Sequence, residues 1–432
     1  MSNPPSARLR TRRASARRDL PEIWFVIAVS SLTFALVDGF GAYDQLFALT
    51  PMKYVGLQLM MLFATLLLCP RGAYQHVVLP LPAVAFVGWW LASYLWETNR
   101  SGWFSTTSRD LATIVTVVVL AQVLGVDEFI RSLLRSGYIC IGLIFVALAV
   151  QPGLAYETGG PAPGLHGGFV HKNAMAPCLL VIAAAVLCFH PDRRFRRGFV
   201  GFVAVLLFLG QTTTGLATLA VLVFLNAVLR NYLSVVERLG RAAGSLMVAS
   251  TLVLGAVATQ SFNSAVRLSG KDLTFSSRTV IWEGVTEAIR QRPWLGYGYG
   301  VWQNIWVDPI LAINLHNGFL VAESHSAPLD LMLRLGIVGL VLYLVQVVST
   351  VRVGWRGLRR GEALGRMSLL VVAVIIMVGF SESLTAFGIW PALLIVFGSF
   401  QRSGSAPPAS AEPPRVTRRL AGRYPVVSGR RT

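Results

Sequence analysis

Long runs of apolar residues, separated by short polar segments, recur along almost the whole chain. A transmembrane helix needs about 20 predominantly apolar residues. The recurrence therefore predicts an all-α polytopic membrane protein with about twelve transmembrane helices. Because two of the runs are short (198–210 and 367–380), counts of ten or eleven stay open. The runs cover 22–40, 52–69, 77–96, 111–126, 133–150, 174–190, 198–210, 214–230, 243–260, 327–349, 367–380 and 384–400.

The distribution of charged residues agrees with this pattern and predicts which loops face the cytoplasm. Only 13% of the residues are charged, against about 25% in soluble proteins, and the net charge is +18. In a soluble protein such a charge would suggest a nucleic-acid partner, but here the positive-inside rule accounts for it. With a cytoplasmic N-terminus, the inner segments contain 28 of the 38 basic residues. We therefore expect a multi-pass protein of the bacterial inner membrane with both termini in the cytoplasm and no nucleic-acid partner.

The same pattern divides the chain into five parts. Residues 1–21 and 401–432 are rich in Arg, Pro and Ser and are expected to be disordered basic cytoplasmic tails. Helices one to nine are expected within 22–260 and helices ten to twelve within 327–400. Between them, residues 261–326 form a large periplasmic loop, too long for a simple connection.

Part of this loop is predicted to be an amphipathic helix. The stretch SSRTVIWEGVTEAIRQRP places apolar residues at helical spacing, Ser277 can cap its start, and Pro293 ends it. WLGYGYG is then expected to form a flexible turn. The predicted apolar stripe consists of Ile281, Val285, Ala288 and Ile289.

Several basic residues lie on the predicted outer side, where topology disfavours them. Arg and Lys are the residues that a site for phosphate or pyrophosphate needs, and Arg can bind in a bidentate manner. His171, Lys172 and Asn173 stand where the second outer loop, 151–173, enters a helix. Lys172 can alternatively be a lysine that snorkels to the interface. Most of the outer bases lie near helix ends or in the long loops: Arg100, Arg109, Lys172, Arg267, Lys271, Arg278, Arg290, Arg292 and Arg334.

The tenth predicted helix begins with unusual polar residues. His325 stands at its mouth, where an imidazole that titrates near neutrality is placed to act as a general base. Ser326 can cap the helix. Asp330 and Arg334 are spaced i,i+4 and should meet on one face, either as a structural pair or with Arg334 towards a ligand phosphate. His316, in the preceding loop, is a further candidate for substrate binding.

Several common catalytic motifs are absent from the sequence, which limits the chemistry that we expect. The sequence has no HExxH, GxSxG or outer DxD motif, and no carboxylate cluster is evident. We therefore expect neither a metal nor another cofactor. Acid/base and electrostatic chemistry at the outer interface suits displacement of a lipid pyrophosphate by a hydroxyl group.

These residues resemble the O-antigen ligase and polysaccharide polymerase superfamily of bacterial membrane glycosyltransferases. The ligase motif is His, then Asn, Ser or Gln, nine residues and GxxG. His325–Ser326, nine residues and Gly336-Ile-Val-Gly339 match it fully. Gly336 and Gly339 are expected to let a neighbouring helix approach closely. The family's R-x-x-x-L motif fits Arg278, although Trp282 replaces the Leu.

The segments RPWLGYGYG and GGFVHKN look like the exopolysaccharide-polymerase branch of this superfamily. Ligases often carry a Ser-Arg pair before the helix that starts near 214, whereas this chain has GQTTTG. That departure favours a polymerase, with Lys172 or Arg334 as candidate substitutes for the missing Arg. The aromatic residues of the loop, which could line a glycan path, are Trp294, Tyr297, Tyr299 and Trp302.

The resemblance implies a GT-C-like, all-helical glycosyltransferase. It would transfer glycan, with inversion and without metal, from an undecaprenyl-pyrophosphate-linked donor. His325 would act as the base or position the acceptor, and Arg278 would hold the pyrophosphate. A chain-length regulator would be a further partner. Three alternatives stay open: a ligase that transfers glycan to lipid A core or another acceptor, a transporter or flippase, and a structural or scaffold membrane protein.

Overall fold

In a computed structural model, the chain is built from helices, with one very short β-hairpin. The structure describes residues 79–157, 163–169, 171–238, 240, 275–383 and 388–403, with scattered helical positions between 29 and 67. Most of the predicted spans 22–40 and 52–69, the span 243–260, and residues 1–21 and 404–432 of the terminal tails lie outside the described residues. The hairpin pairs β1 (Tyr156–Glu157) with β2 (Gly164–Leu165).

Eleven α-helices lie in the described part of the chain. Four of them (α2, α4, α6 and α9) are long and apolar enough to cross a membrane, which supports a multi-pass membrane protein. They are α1 (Leu81–Ala92), α2 (Arg100–Val150), α3 (Pro152–Ala155), α4 (Lys172–Phe189), α5 (Arg193–Leu209), α6 (Thr213–Arg238), α7 (Phe275–Gln291), α8 (Ile310–Asn317), α9 (Ala327–Arg359), α10 (Ala363–Gly379) and α11 (Ile389–Ser403).

Helix α2 contains two of the predicted spans and differs from the prediction in one respect. Gly125, with φ 73° and ψ 176°, interrupts it between the runs 111–126 and 133–150. Residues 97–110, predicted to be an outer connection, are helical from Arg100 onwards. Asn99 explains this early start, because its side chain accepts a hydrogen bond from Gly102 N and caps the helix.

The bundle is organised around α9 and α10. Helix α9 packs against α1, α10 and α11, while α10 also packs against α4. A second, smaller hydrophobic core lies over the first turns of α9 and joins α7 and α8 to them. The four residues of the predicted stripe (Ile281, Val285, Ala288 and Ile289) are all buried in it. Helix α7 is described from Phe275, so Ser277 lies within it and does not cap its start.

The GxxG segment breaks α9 instead of receiving a neighbouring helix. Gly336 has φ 66° and ψ −173°, a conformation that side chains rarely permit. A Cβ atom there would collide with Trp294 O. The segment after α7 therefore crosses directly over the broken turn, and Ile337 N donates to Pro293 O at 2.8 Å.

The broken turn leaves three carbonyl groups of α9 without helical partners. Buried backbone carbonyls need hydrogen bonds, above all in a membrane protein. The glycine-rich loop and α1 supply them, so WLGYGYG is a packed element instead of a flexible turn. Leu333 O accepts from Tyr297 N (2.9 Å), Arg334 O from Gly298 N (2.9 Å) and Leu335 O from Trp89 Nε1 (3.0 Å).

Candidate active site

Four polar side chains meet at the mouth of α9, although they are far apart in sequence. Asn173 comes from the first turn of α4, Arg278 from α7, His325 from the residues before α9, and Glu382 from the connection that follows α10. The side chain of Glu382 is only 5% exposed. The centre of this cluster is therefore a buried carboxylate.

Glu382 connects the other three side chains. Its Oε1 accepts hydrogen bonds from Asn173 Nδ2 at 2.6 Å and from Arg278 Nη2 at 2.9 Å. Its Oε2 lies 3.5 Å from His325 Nδ1. A buried carboxylate is stable in its charged form only when it is paired and hydrogen-bonded, as it is here. The sequence indicated the other three residues but gave no signal for Glu382.

His325 is held between two carboxylates. Its Nδ1 lies 3.1 Å from Glu323 Oε1, in addition to the longer contact with Glu382. Its backbone has φ 52°, a left-handed conformation uncommon for residues other than glycine. Because carboxylate oxygens accept, Nδ1 donates to them. In the neutral ring Nε2 then has the lone pair, which is the arrangement that a histidine base requires.

These contacts shift the pKa values of His325 and Glu323. Burial alone would lower the pKa of His325, but the hydrogen bonds and charges of Glu323 and Glu382 outweigh it and raise the pKa to about 9. Burial alone would raise the pKa of Glu323, but His325 above all, with His171 and Arg278, lowers it. The substrate-free site thus favours an imidazolium between carboxylates.

Two serines fix the backbone beside His325. Ser324 Oγ is 3.2 Å from Ser383 Oγ, and both oxygens lie 3.3 Å from Ser326 N. The predicted cap by Ser326 is wrong, because its side chain makes no capping hydrogen bond with α9. Trp282, which replaces the Leu of the family motif, donates from Nε1 to Ser324 O at 2.9 Å. It therefore ties α7 to the residue that precedes His325.

The other residues predicted near the start of α4 lie beside this cluster. His171 is the N-cap of α4, and its Nδ1 accepts from Asn173 N at 3.2 Å. Lys172 is 7% exposed. A Cβ atom on Gly164 would lie 2.6 Å from Gly210 O and 3.4 Å from Lys172 Cδ. Lys172 therefore runs past the turn GQTTTG, where ligases often have their Arg.

Asp330 and Arg334 form the expected ion pair in the first turns of α9, further along the helix than the Glu382 cluster. Arg334 Nε donates to Asp330 Oδ2 at 3.1 Å, and Arg334 Nη1 donates to Tyr299 O at 2.5 Å. Trp302 Nε1 donates to Asp330 Oδ1 at 2.6 Å. All these side chains are buried. The pair therefore fastens the glycine-rich loop to α9.

The aromatic residues of that loop have two different environments. Tyr297, Tyr299 and Trp302 are at most 5% exposed, because they pack in the interior. Tyr299 and Trp302 therefore do not line an open path, contrary to our expectation, whereas Tyr297 adjoins a groove between α7 and α8. Trp294 is 68% exposed. His316 is exposed on α8, where it lines a groove with residues of α7.

The structure also corrects the expectation that no carboxylate cluster exists. Ligand atoms of Glu323, His325 and Glu382 lie within 4.8 Å of one another, a spacing that could hold a metal ion. Arg278 shares Glu382 Oε1 with Asn173, however, and its positive charge opposes a cation at this place. Glu323 stood next to His325 in the sequence, but no motif distinguished it.

Comparison with known proteins gives two matches. Residues 198–344 match a family model described as O-antigen ligase. This range contains Arg278, Glu323 and His325, but neither Asn173 nor Glu382. A curated protein of Pseudomonas aeruginosa PAO1 named O-antigen ligase is 32% identical over 81 residues, which are 19% of this chain and 18% of the relative. The match thus spans less than a fifth of that relative.

Proposed function

We propose that this chain, of which residues 198–344 match a family model described as O-antigen ligase, polymerises lipid-linked oligosaccharide repeat units. The donor would be an undecaprenyl-pyrophosphate-linked glycan, and the product an exopolysaccharide or O-antigen. The observation that carries the proposal is the convergence of Asn173, Arg278 and His325 on Glu382. A cationic group and a histidine whose orientation is fixed then stand together where a membrane helix begins.

The proposed step is a displacement at the anomeric carbon of the donor. His325 Nε2 accepts the proton of the acceptor hydroxyl as its oxygen forms the new glycosidic bond. The bond between that carbon and the pyrophosphate oxygen breaks, and the lipid pyrophosphate leaves with the electron pair. Arg278 stabilises the leaving charge by bidentate hydrogen bonds, and Lys172 adds a second cation. One displacement inverts the anomeric configuration.

The remaining predicted residues support this step. His171 caps α4 and so places Asn173 on Glu382. Asp330 and Arg334 fix the loop that covers the first turns of α9. His316 faces the groove beside α7. We propose a GT-C-like arrangement of about twelve helices in the inner membrane, with the site in the periplasm, both termini in the cytoplasm and a chain-length regulator as partner.

Ligation is the second candidate. The family model and the Pseudomonas relative are both described as O-antigen ligase, so transfer to lipid A core or another acceptor follows the same chemistry. Polymerisation is favoured because the segment GQTTTG has no Arg at the place where ligases often carry a Ser-Arg pair. A transporter is less consistent with the structure, because the polar cluster lies at a helix mouth. Asp330 is only about 6 Å below the Ser326 cap at 1.5 Å per residue.

The test uses purified protein, without added metal and with a chelator, and an undecaprenyl-pyrophosphate-linked repeat unit. A ladder of lipid-linked products that disappears in His325→Ala and Arg278→Gln supports polymerisation. Arg100→Gln is the matched control, since Arg100 is exposed on the same predicted side and lies over Tyr94. Transfer only to an added acceptor lipid would show a ligase. Full activity of both variants would refute the proposed site.

A further inference from the structure

A polar groove runs along α7 on the outer side of the bundle. Its volume is about 910 Å³. One wall is the face of α7 from Thr279 to Gln291, and the other is α8 with the residues just before it. Among the described residues, the side chains that line this groove are different from those of the Glu382 cluster. The opposite wall includes Asp308, Pro309, Ala312, Ile313 and His316.

One end of this groove adjoins the active site. Trp282 lines the groove, and its indole N–H donates to the carbonyl of Ser324, the residue before His325. Arg278, which contacts Glu382, lies one turn earlier on the same helix. From Trp282 to Gln291 the groove extends about 14 Å along α7 at 1.5 Å per residue. A chain leaving the reaction centre would therefore meet the groove directly.

The lining has charges of both signs, with the acids Glu283, Glu287 and Asp308 and the bases Arg290 and Arg292. Glu287 and Arg290 form an exposed ion pair at 3.1 Å, and Glu283 and Arg292 are also exposed. A polyanion would be repelled by the acids, and a polycation by the arginines. A ligand with many hydroxyl groups can donate to the carboxylates and accept from the guanidinium groups. The lining therefore fits an uncharged or weakly charged polar chain.

The floor and aromatic walls fit the same ligand. Gly284 leaves the floor open, since a Cβ there would already lie 3.3 Å from His316 Cδ2. Trp282 and Tyr297 contribute aromatic rings to the lining, and Arg292 lies over the Tyr297 ring at 4.8 Å. Aromatic faces with a few polar groups are common in sites that bind ligands with both apolar and polar surfaces.

We propose that the groove between α7 and α8 binds the sugar chain of a polyhydroxylated oligosaccharide, next to the position where the new bond forms. This inference rests on the proposed function and identifies a binding site for its glycan. It also places the glycan path along the exposed surface of α7 instead of along Tyr299 and Trp302, which are buried. The chain would be held through its sugars, independently of its lipid pyrophosphate.

The test measures binding and transfer separately. Binding is followed by saturation-transfer NMR with the lipid-free repeat-unit oligosaccharide as the probe. Gly284→Leu fills the floor, and Glu283→Gln removes one acceptor charge. Gly284→Ala is the matched control, since its Cβ would be tight only against the exposed His316 (3.3 Å) and would make ordinary contacts with Ile313 (3.6 Å) and Asn317 (3.7 Å). We expect at least tenfold weaker binding with Gly284→Leu, about threefold weaker binding with Glu283→Gln, and near-normal binding with Gly284→Ala.

Transfer assays complete the test. With Gly284→Leu we expect the first transfer from the lipid-linked donor to stay within about threefold of wild type, while the products become shorter. If the wild-type protein does not bind the oligosaccharide, or both groove variants bind it normally, the inference is wrong. Failure of the proposed function gives a different result, because Arg278→Gln would then retain full transfer. Arg278→Gln should also leave oligosaccharide binding unchanged.

Discussion

At the scale of single residues, Glu382 contacts Asn173, Arg278 and His325, and in the proposed mechanism it positions them without contacting the reacting atoms. We expect Glu382→Gln to reduce transfer about 100-fold, because Arg278 and His325 lose the charge that aligns them, and a misplacement near 1 Å has that effect. The loss should be in kcat more than in KM, and Glu382→Asp should restore part of it.

Glu362→Gln is the control for this substitution. Glu362 precedes α10, whereas Glu382 follows it, and its carboxylate pairs with Arg360 at the opposite end of the helix. Transfer by Glu362→Gln should be normal. If Glu382→Gln also transfers glycan at the normal rate, Glu382 is only a structural residue.

The pH dependence of transfer tests the role of His325. Its pKa is raised to about 9, so most of the imidazole is protonated at pH 7 in the free enzyme. A base must be deprotonated, so kcat/KM should rise about tenfold per pH unit up to about pH 9 and then level off. The profile is measured in steps from pH 6 to pH 10.5.

Glu323→Gln gives the second half of this test. Losing the carboxylate at 3.1 Å removes the largest interaction that raises the pKa of His325, so the rising limb should move to lower pH. A kcat/KM that instead falls above pH 9 would mean that His325 acts as a cation or an acid, and the base would then have to be another group.

The limits of sequence reasoning are also clearest at this scale. His325, Arg278 and Asn173 stood beside recognisable helix starts or motifs, so the sequence indicated them. Glu382 follows α10 in a short connection, 57 residues after His325, and no spacing relates the two. Only the packing of α10 against α4 and α9 brings this carboxylate to the helix mouth.

At the scale of elements, the glycine motif of α9 interrupts the helix at Gly336. Apolar periodicity correctly placed a helix from residue 327, but a period cannot show where its hydrogen bonds are interrupted. Gly336 interrupts α9, and WLGYGYG satisfies the exposed carbonyl groups. This explains why a sequence rich in glycine, which suggested flexibility, forms a packed element: its glycines permit close contact with α9.

We expect Gly336→Ala to destabilise the protein strongly. A positive φ alone costs about 1–3 kcal/mol for a residue with a side chain, and the new Cβ would also collide with Trp294 O. Either the loop must leave α9 or the helix must straighten. Thermal unfolding in detergent measures the effect, and transfer activity should fall with it because the loop packs against the helix that begins two residues after His325.

Gly142→Ala provides the control. Gly142 lies in the second half of α2, has a helical conformation, and has open space where a Cβ would be added. Alanine favours a helix by up to about 1 kcal/mol over glycine, so this variant should be as stable as wild type or more stable. Equal melting temperatures for Gly336→Ala and Gly142→Ala would contradict the packing argument.

At the scale of the whole molecule, α4 and α10 connect two chemically different ends. One end of each helix lies at the Glu382 cluster. At the other end, Arg196 donates to His190 O at 3.0 Å and Arg366 to Cys188 O at 3.3 Å. Basic residues therefore lie at the end of the bundle opposite the site. The distance is about 27 Å, since α4 has 18 residues and rises 1.5 Å per residue. This separation is what the positive-inside rule requires if the site faces the periplasm.

Labelling of single cysteines in intact cells tests this orientation. Cys140, Cys178 and Cys188 are buried, and Cys69, which lies outside the described residues, is replaced by Ser. Glu287→Cys, at an exposed position on α7, should react with a membrane-impermeant maleimide. Arg360→Cys, exposed after α9, should react only after the cells are opened, because it lies at the arginine-rich end. The reverse pattern would place Glu382 and His325 in the cytoplasm, where a periplasmic polymerase cannot have its active site, and would overturn the proposed topology and function together.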